Sequence, residues 1–305
     1  MKNLLIPLLF LAALGGPGLG QGSDFPLPLP GNDAVGEVTT TTSRYEDTLS
    51  DIARRHGLGY LELSEANPGV DPWLPGEGLE IIIPTRFLLP PGPRKGIVIN
   101  LAELRLYYYP KGENRVVTYA LGIGREGWST PVGVTRVTGK RPNPSWTPPE
   151  SIRREHAEQG DALPAVVPPG PENPLGEYAI YLGMPGYLIH GTNKPYGVGM
   201  RVSHGCIRLY PEDISRLFPR VPEGTPVRII NEPYKLGWID GRLYIEAHKP
   251  LSEERPDQGI DLSQLNTAIE SLPGTEQATI DNDVLMDAVL THAGYPILIG
   301  KRTVR

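Results

Sequence analysis

The spacing of apolar residues between positions 36 and 85 predicts a small unit that contains both strands and helices. Leu49, Ile52 and Ala53 recur at helical spacing, and Gly57 follows them as a stop signal. The β-rich and continuous apolar runs on either side predict strands. In chain order the predicted elements are a strand at Val38–Thr42, a helix opened by Glu46–Leu49, a helix at Tyr60–Asn67 and a strand at Leu79–Ile83. The predicted order is β-α-α-β.

From Gly96 onward, short β-type runs are separated by Gly, Pro, Asn and charged turns. Leu104, Leu106 and Tyr108 alternate with Arg105 and Tyr107, which predicts a half-buried strand. The predicted strands are Ile97–Asn100, Arg105–Tyr109, Val116–Leu121, Gly133–Thr138, Tyr178–Tyr181, Tyr187–His190 and Val227–Ile230, with one helix at Pro211–Leu217. We expect residues 96–231 to form a mainly β domain, an antiparallel sandwich or a partly closed sheet.

The segments between and after these units predict connectors, an insertion and a C-terminal extension. Residues 22–35 and Phe87–Lys95 are rich in proline and predict a spacer and a connector. Pro142–Asn173 interrupts the β pattern, and an insertion of this length is usually functional or disordered. We interpret it as a lid over a groove, with a short helix at Glu150–Glu158. Residues 232–305 predict a mixed α/β extension that serves either as an accessory domain or as a structural appendage.

The chain has 305 residues, enough for two or more domains, and 39% are hydrophobic and 21% charged. A net charge of −6 gives no reason to expect nucleic acid or an anionic membrane as a partner. Residues 1–21 combine Lys2, an apolar run and small residues, as an export signal does. The alternative is an uncleaved anchor, but the run is shorter than the ~20 residues that span a bilayer. We expect cleavage near Gly20, periplasmic localisation and no remaining transmembrane span.

The only cysteine, Cys206, lies in a glycine-rich stretch that also contains His190 and His204. Its alternative role is that of an inert buried thiol, but a thiolate activated by a neighbouring base is a strong nucleophile. We favour His190 as this base, with its ring held by the backbone carbonyl of Gly191, and His204 as a supporting residue. Zinc binding is the main alternative use of these side chains. Without a second cysteine or a nearby carboxylate in the stretch, we expect neither a metal nor a cofactor.

Two families are matched by these motifs. His190-Gly191 followed by Ser203–Arg208, with Thr130–Gly133 upstream, resembles the L,D-transpeptidase (YkuD) catalytic domain. The β-α-α-β unit resembles the LysM domain, and we assign residues 36–85 to it. The LysM resemblance is carried by Glu46-Asp47-Thr48-Leu49, Ile52-Ala53, Leu63, Asn67-Pro68, Leu74-Pro75-Gly76, Leu79 and Ile82 with Pro84. It implies binding to glycan strands that contain N-acetylglucosamine, unless the fold has lost that affinity.

The transpeptidase resemblance implies acyl transfer at the carbonyl of the L-centre of meso-diaminopimelate, with loss of D-alanine. It implies Gly205 and Cys206 as oxyanion donors, and Arg208, Ser203 and Asn193 as candidates for substrate binding. A structural ion pair is the other role open to Arg208. The domain order resembles the subgroup that attaches an outer-membrane lipoprotein to peptidoglycan, and the family implies acylation by carbapenems. The alternatives are 3–3 crosslinking, L,D-carboxypeptidase or other hydrolase activity, and a non-catalytic wall-binding scaffold.

Overall fold

The computed structural model describes residues 22–252 and 262–303, so the predicted export signal at 1–21 lies outside the described residues. The strands are β1 (Ser23–Pro26), β2 (Ala34–Thr42), β3 (Glu80–Leu88), β4 (Gly96–Asn100), β5 (Arg105–Tyr109), β6 (Arg115–Ala120), β7 (Ile123–Gly124), β8 (Gly133–Pro142), β9 (Tyr178–Leu182), β10 (Leu188–His190), β11 (Arg201–Ser203), β12 (Ile207–Arg208), β13 (Pro226–Ile230), β14 (Tyr234–Ile239), β15 (Arg242–Ala247), β16 (Ala278–Ile280) and β17 (Ile297–Arg302). The helices are α1 (Leu49–Arg55), α2 (Tyr60–Ala66), α3 (Glu150–Glu158), α4 (Pro211–Arg220), α5 (Ser263–Ser271) and α6 (Asn282–Thr291). In the part of the chain described, no helix has the length and apolarity needed to cross a bilayer.

The N-terminal unit has the predicted β-α-α-β order. Strands β2 and β3 pair antiparallel along their whole length, from Ala34 opposite Leu88 to Thr42 opposite Glu80. Helix α1 begins at a capping box, in which Thr48 and Asp51 each bond the other's backbone N–H. Burial of the apolar face of each helix against this strand pair holds the unit together.

The central unit is a nine-stranded sheet in the order β1-β6-β5-β4-β13-β8-β9-β10-β12. The domain is mainly β, as expected, but the predicted antiparallel arrangement was wrong in part, because β13 pairs parallel to β4 and β10 pairs parallel to β12. A parallel pair needs a crossover connection. Helix α4 provides part of the crossover that leads into β13. The predicted spacer at 22–35 was also wrong in part, since β1 pairs with β6 at the edge of the sheet.

The sheet is covered on both faces, which corrects the prediction that β5 is half-buried. All five residues of β5 are buried. Leu106 and Tyr108 belong to the core of the central unit, whereas Tyr107 and Tyr109 pack with the N-terminal unit. Arg105, on that second face, is fully buried and forms a two-pronged ion pair with Glu62 of α2, at 2.6 and 2.9 Å. The N-terminal unit is therefore docked directly on the sheet.

The C-terminal unit is a four-stranded antiparallel sheet, in the order β14-β15-β17-β16, that packs with α5 and α6. This arrangement agrees with the predicted mixed α/β extension, although the sequence did not reveal β14. The loss of alternation explains the omission, because both faces of β14 are largely buried.

A buried ion-pair network joins the three units. Lys235 contacts the carboxylates of Glu103 and Glu246, and its Nζ donates to Leu88 O (2.7 Å) and Tyr107 Oη (3.1 Å). Among the described residues, potential metal-ligand atoms of Glu103, Glu246 and His248 lie within 4.8 Å of one another. The Lys235 ammonium contacts both carboxylates, and His248 Nε2 lies 2.9 Å from Glu246 Oε1, so this cluster is an internal ion-pair network.

Candidate active site

Two parallel strands at the end of the sheet bring the predicted site residues together. In the β10–β12 pair, Ile189 lies opposite Ile207 and His190 lies opposite Arg208. Cys206 comes two positions before Arg208, so both side chains project to the face that His190 shares. Both ends of the segment from Ile189 to Arg208 therefore lie in one small region of the sheet, as expected from the predicted position of His190 at the end of a strand.

A tight turn presents Cys206. Gly205 has a φ of +100°, a conformation that side chains with a Cβ rarely adopt. Ser203 Oγ donates to Cys206 O (2.6 Å) and accepts the Gly205 N–H (3.1 Å), and Thr130 Oγ1 donates to Gly205 O (2.8 Å). Ser203 is buried and its hydroxyl closes the turn. The Gly205 N–H is therefore occupied, which contradicts its expected availability as an oxyanion donor. We refer to Ser203–Cys206 as the Cys206 turn.

The Cys206 thiol is half-buried, and its Sγ lies 3.5 Å from Gly186 O. Burial raises its pKa above the ordinary value of 9.0, because a thiolate loses hydration there. A backbone hydrogen bond from Leu188 and the charge of Arg208 act in the opposite direction. The resting residue is a protonated thiol at neutral pH.

His190 is buried, and its Nδ1 lies 2.6 Å from Gly191 O, the contact predicted for it. Because a carbonyl oxygen can only accept, this contact assigns the proton to Nδ1 and leaves Nε2 as an acceptor. Burial and the nearby Arg208 charge lower the pKa of His190 to about 3, while bonds to the Gly191 and Leu175 backbone act to raise it. The imidazole is neutral in the resting site, and its Nε2 is unprotonated.

Arg208 carries the charge that both groups experience. Its guanidinium is largely buried, which lowers its pKa, and its Nε is buried without a hydrogen-bond partner in the described part of the chain. Within those residues Arg208 makes no ion pair, so the structural salt bridge considered for it is not found. Asn193 is half-buried in the loop after β10, and its side chain forms no hydrogen bond to the described residues.

His204 is engaged elsewhere. Its Nε2 lies 3.0 Å from Glu155 Oε2 and 3.3 Å from an Arg125 nitrogen, and the Trp128 ring packs edge-on at 4.8 Å. Burial lowers the pKa of His204, with Glu155 opposing that shift. Glu155 and Arg125 were not predicted from the sequence to take part in the site. Glu155 is 49 positions away from His204 in the chain, and its one visible signal was its place in the predicted Glu150–Glu158 helix.

Comparison with known proteins places these features in context. Residues 94–229 match the family model described as the L,D-transpeptidase catalytic domain. The chain is 45% identical to the probable L,D-transpeptidase YcfS of Escherichia coli, over 93% of this chain and 90% of that protein. It is 42% identical to the probable L,D-transpeptidase YbiS of the same organism, over 97% and 99%. An L,D-transpeptidase structure from Mycobacterium smegmatis aligns at 20% identity and a TM-score of 0.36, over 50% of this chain and 63% of the other.

Proposed function

Because the chain belongs to the L,D-transpeptidase family, with a YkuD-type catalytic domain, we propose that Cys206 carries the acyl group in a two-step transfer on peptidoglycan stem peptides. The activity and the peptidoglycan substrate class come from the family. The observation that carries the residue assignment is the shared face of Cys206, His190 and Arg208, with the His190 Nδ1 proton bound by Gly191 O.

In the first step, Cys206 Sγ attacks the carbonyl of the L-centre of meso-diaminopimelate in a tetrapeptide stem, and the thiol proton passes to His190 Nε2. The C–N bond to D-alanine breaks, and His190 gives this proton to the departing amine. An acceptor amine then attacks the thioester and loses its proton to His190. The new amide bond forms as the C–S bond breaks, and the proton returns to the thiolate.

Charge that develops on the attacked carbonyl oxygen needs hydrogen-bond donors. We assign the Cys206 N–H to this role, since the Gly205 N–H is bonded to Ser203. We assign Arg208 to a carboxylate of the donor stem. A guanidinium suits such a partner, and its buried Nε has no protein partner among the described residues. We also assign Asn193, in the loop after β10, to contacts with the stem peptide.

We assign residues 36–85 to a LysM domain that binds the glycan strand. Its contacts would come from the loops at Glu46–Leu49 and Asn67–Leu74. Three large side chains at these loops are exposed although they are apolar: Tyr45 (78%), Trp73 (66%) and Leu74 (73%). Aromatic side chains at a loop edge offer flat, partly apolar surfaces to sugar rings. We place the mature protein in the periplasm after removal of residues 1–21.

For the acceptor we propose the side-chain amine of the terminal lysine of an outer-membrane lipoprotein. The assigned domain order supports this choice by analogy. The alternatives are the amine of a neighbouring diaminopimelate, which gives a 3–3 crosslink, and water, which makes the enzyme an L,D-carboxypeptidase or another hydrolase. A wall-binding scaffold with an idle thiol is the non-enzymatic alternative.

Intact-protein mass spectrometry tests the assignment. The purified protein is mixed with tetrapeptide muropeptides, with and without a lipoprotein C-terminal peptide. We expect loss of D-alanine, a thioester on Cys206 and transfer to the peptide's lysine, all absent from Cys206→Ala. A muropeptide dimer would select crosslinking, and free tripeptide alone would select hydrolysis. If no Cys206 adduct forms, either with muropeptides or with a carbapenem, the catalytic role assigned to this thiol is wrong.

A further inference from the structure

Residues 142–173, which we call the insert, are held firmly at their base. Trp146 and Val167 exchange backbone hydrogen bonds of 2.9 and 2.7 Å. The buried side chain of Asn173 donates to Pro144 O (2.8 Å) and also accepts the Leu175 N–H (2.9 Å). The Leu175 backbone in turn lies near the His190 ring and acts to raise the pKa of that ring. The base of the insert is thus connected to the proposed catalytic base.

The middle of the insert, helix α3, is connected to the other histidine of the motif. Ile152 is buried and fixes one side of α3. Glu155 divides its two carboxylate oxygens between partners: Oε1 contacts Arg125, and Oε2 accepts a hydrogen bond from His204 Nε2 at 3.0 Å. These partners lower the pKa of Glu155, so the carboxylate is ionised at neutral pH. Both contacts are charge-assisted when their partners are protonated, and such contacts have well-defined geometry.

Both partners of Glu155 are parts of the Cys206 turn or its support. His204 is a residue of the turn and lies two positions before Cys206. Arg125 donates its backbone N–H to Ser203 O at 2.9 Å, and its own carbonyl accepts the Trp128 N–H at 2.9 Å. Trp128 packs on the His204 ring. One carboxylate from the insert therefore contacts the two sides of the segment that presents Cys206.

We propose that Glu155 is a positioning residue for acyl transfer, which fastens helix α3 to the Cys206 turn through His204 and Arg125. The proposal rests on the proposed role of Cys206. In the fastened arrangement, the turn holds the Cys206 thiol and N–H in the orientation that attack on a bound stem peptide requires. Without Glu155, the Cys206 thiol stays accessible to small reagents. The turn is then less well ordered, so the thiol and the N–H are less often in the orientation that a bound stem peptide requires.

The test compares Glu155→Ala and Glu155→Gln with Glu158→Ala, a matched control on the exposed side of the same helix. Two rates are measured at Cys206 for each full-length variant: acylation by a tetrapeptide muropeptide and alkylation by iodoacetamide. Thermal unfolding is recorded alongside. For Glu155→Ala we expect acylation to fall by about 10- to 100-fold, the scale of misplaced reacting groups, whereas alkylation stays the same or becomes faster. Glu155→Gln keeps the side-chain length and one acceptor oxygen for Arg125, and its amide N–H can donate to His204 Nε2 in the other tautomer, so it should restore most of the acylation rate. Glu158→Ala should match the unaltered protein.

Other outcomes separate the two proposals. If both rates of Glu155→Ala fall in parallel with a lower unfolding temperature, and Glu155→Gln behaves in the same way, Glu155 has only a structural role and the positioning proposal is wrong. Unaltered acylation in Glu155→Ala also refutes it, while the role of Cys206 stands. A failure of Cys206 to form any adduct in the unaltered protein refutes the proposed function itself, whatever the Glu155 variants do.

Discussion

The charge state of the resting site gives a testable pH dependence. Burial raises the pKa of Cys206 above 9.0, and burial with Arg208 lowers that of His190 to about 3. At pH 7 a thiol with such a pKa is less than about 1% thiolate. The pair is therefore thiol and neutral imidazole, in contrast to the thiolate–imidazolium ion pair of some cysteine enzymes.

Alkylation of Cys206 by iodoacetamide measures this directly, because only the thiolate reacts. We expect the rate to rise about tenfold per pH unit between pH 6 and 8, since the thiolate fraction rises by that factor below the pKa. A preformed ion pair would instead give a rate plateau across this range. Such a plateau would refute the assignment of a neutral pair.

Substitution of the base provides the second half of the test. In His190→Ala, acylation by a tetrapeptide stem should fall by about 10²- to 10⁴-fold, the usual contribution of general-base catalysis. Alkylation at pH 10 should change little, because hydroxide then ionises the thiol without help. If acylation survives in His190→Ala while the protein stays folded, proton transfer does not use His190.

Two further predictions concern the supports of the fold and the site. Lys235→Met leaves buried carboxylates without their cation and should lower the free energy of unfolding by about 3–5 kcal/mol, measured by urea denaturation. Adding Glu103→Gln should recover part of that loss, because it removes one of the unpaired carboxylates. If the effects of the two substitutions on the free energy of unfolding simply add, the two residues do not interact and the network is contradicted. Thr130→Val removes the hydroxyl that bonds Gly205 O and Gly124 N, and should cost about 1–3 kcal/mol and slow acylation. Thr130→Ser should restore both, and a Thr130→Val protein with unaltered acylation would show that this contact does not order the turn.

Local patterns in the sequence were sufficient to predict most elements of the fold. Glu150–Glu158 and Arg105–Tyr109 were predicted with the bounds that the structure gives them. Seven strands were not predicted: β1, β14, the short strands β7, β11, β12 and β16, and the last strand, β17. Strand β1 is four residues long and contains a proline at the sheet edge, and β14 lacks alternation because both of its faces are largely buried.

The site was predictable where it was local in sequence. His190, Gly191 and the turn that ends at Cys206 lie within one short stretch, and parallel pairing of β10 and β12 joins them. Glu155 was not predictable as a partner of His204, since nothing in a single sequence indicates where a helix inside an irregular insert will dock. The occupied Gly205 N–H was likewise invisible, because it depends on the rotamer of Ser203.

The burial of β5 on both faces limits how this protein can be altered by gene fusion or truncation. A catalytic sheet expressed without residues 34–88 would expose Tyr107 and Tyr109 to water and leave the Arg105 guanidinium without Glu62. A different N-terminal domain fused to the sheet would leave the same tyrosines exposed and the same guanidinium unpaired, unless it provided a matching carboxylate and apolar surface. The N-terminal unit and the sheet must therefore be kept together in any altered form of the protein. A substitution on one side of their contact limits the substitutions that are tolerated on the other side.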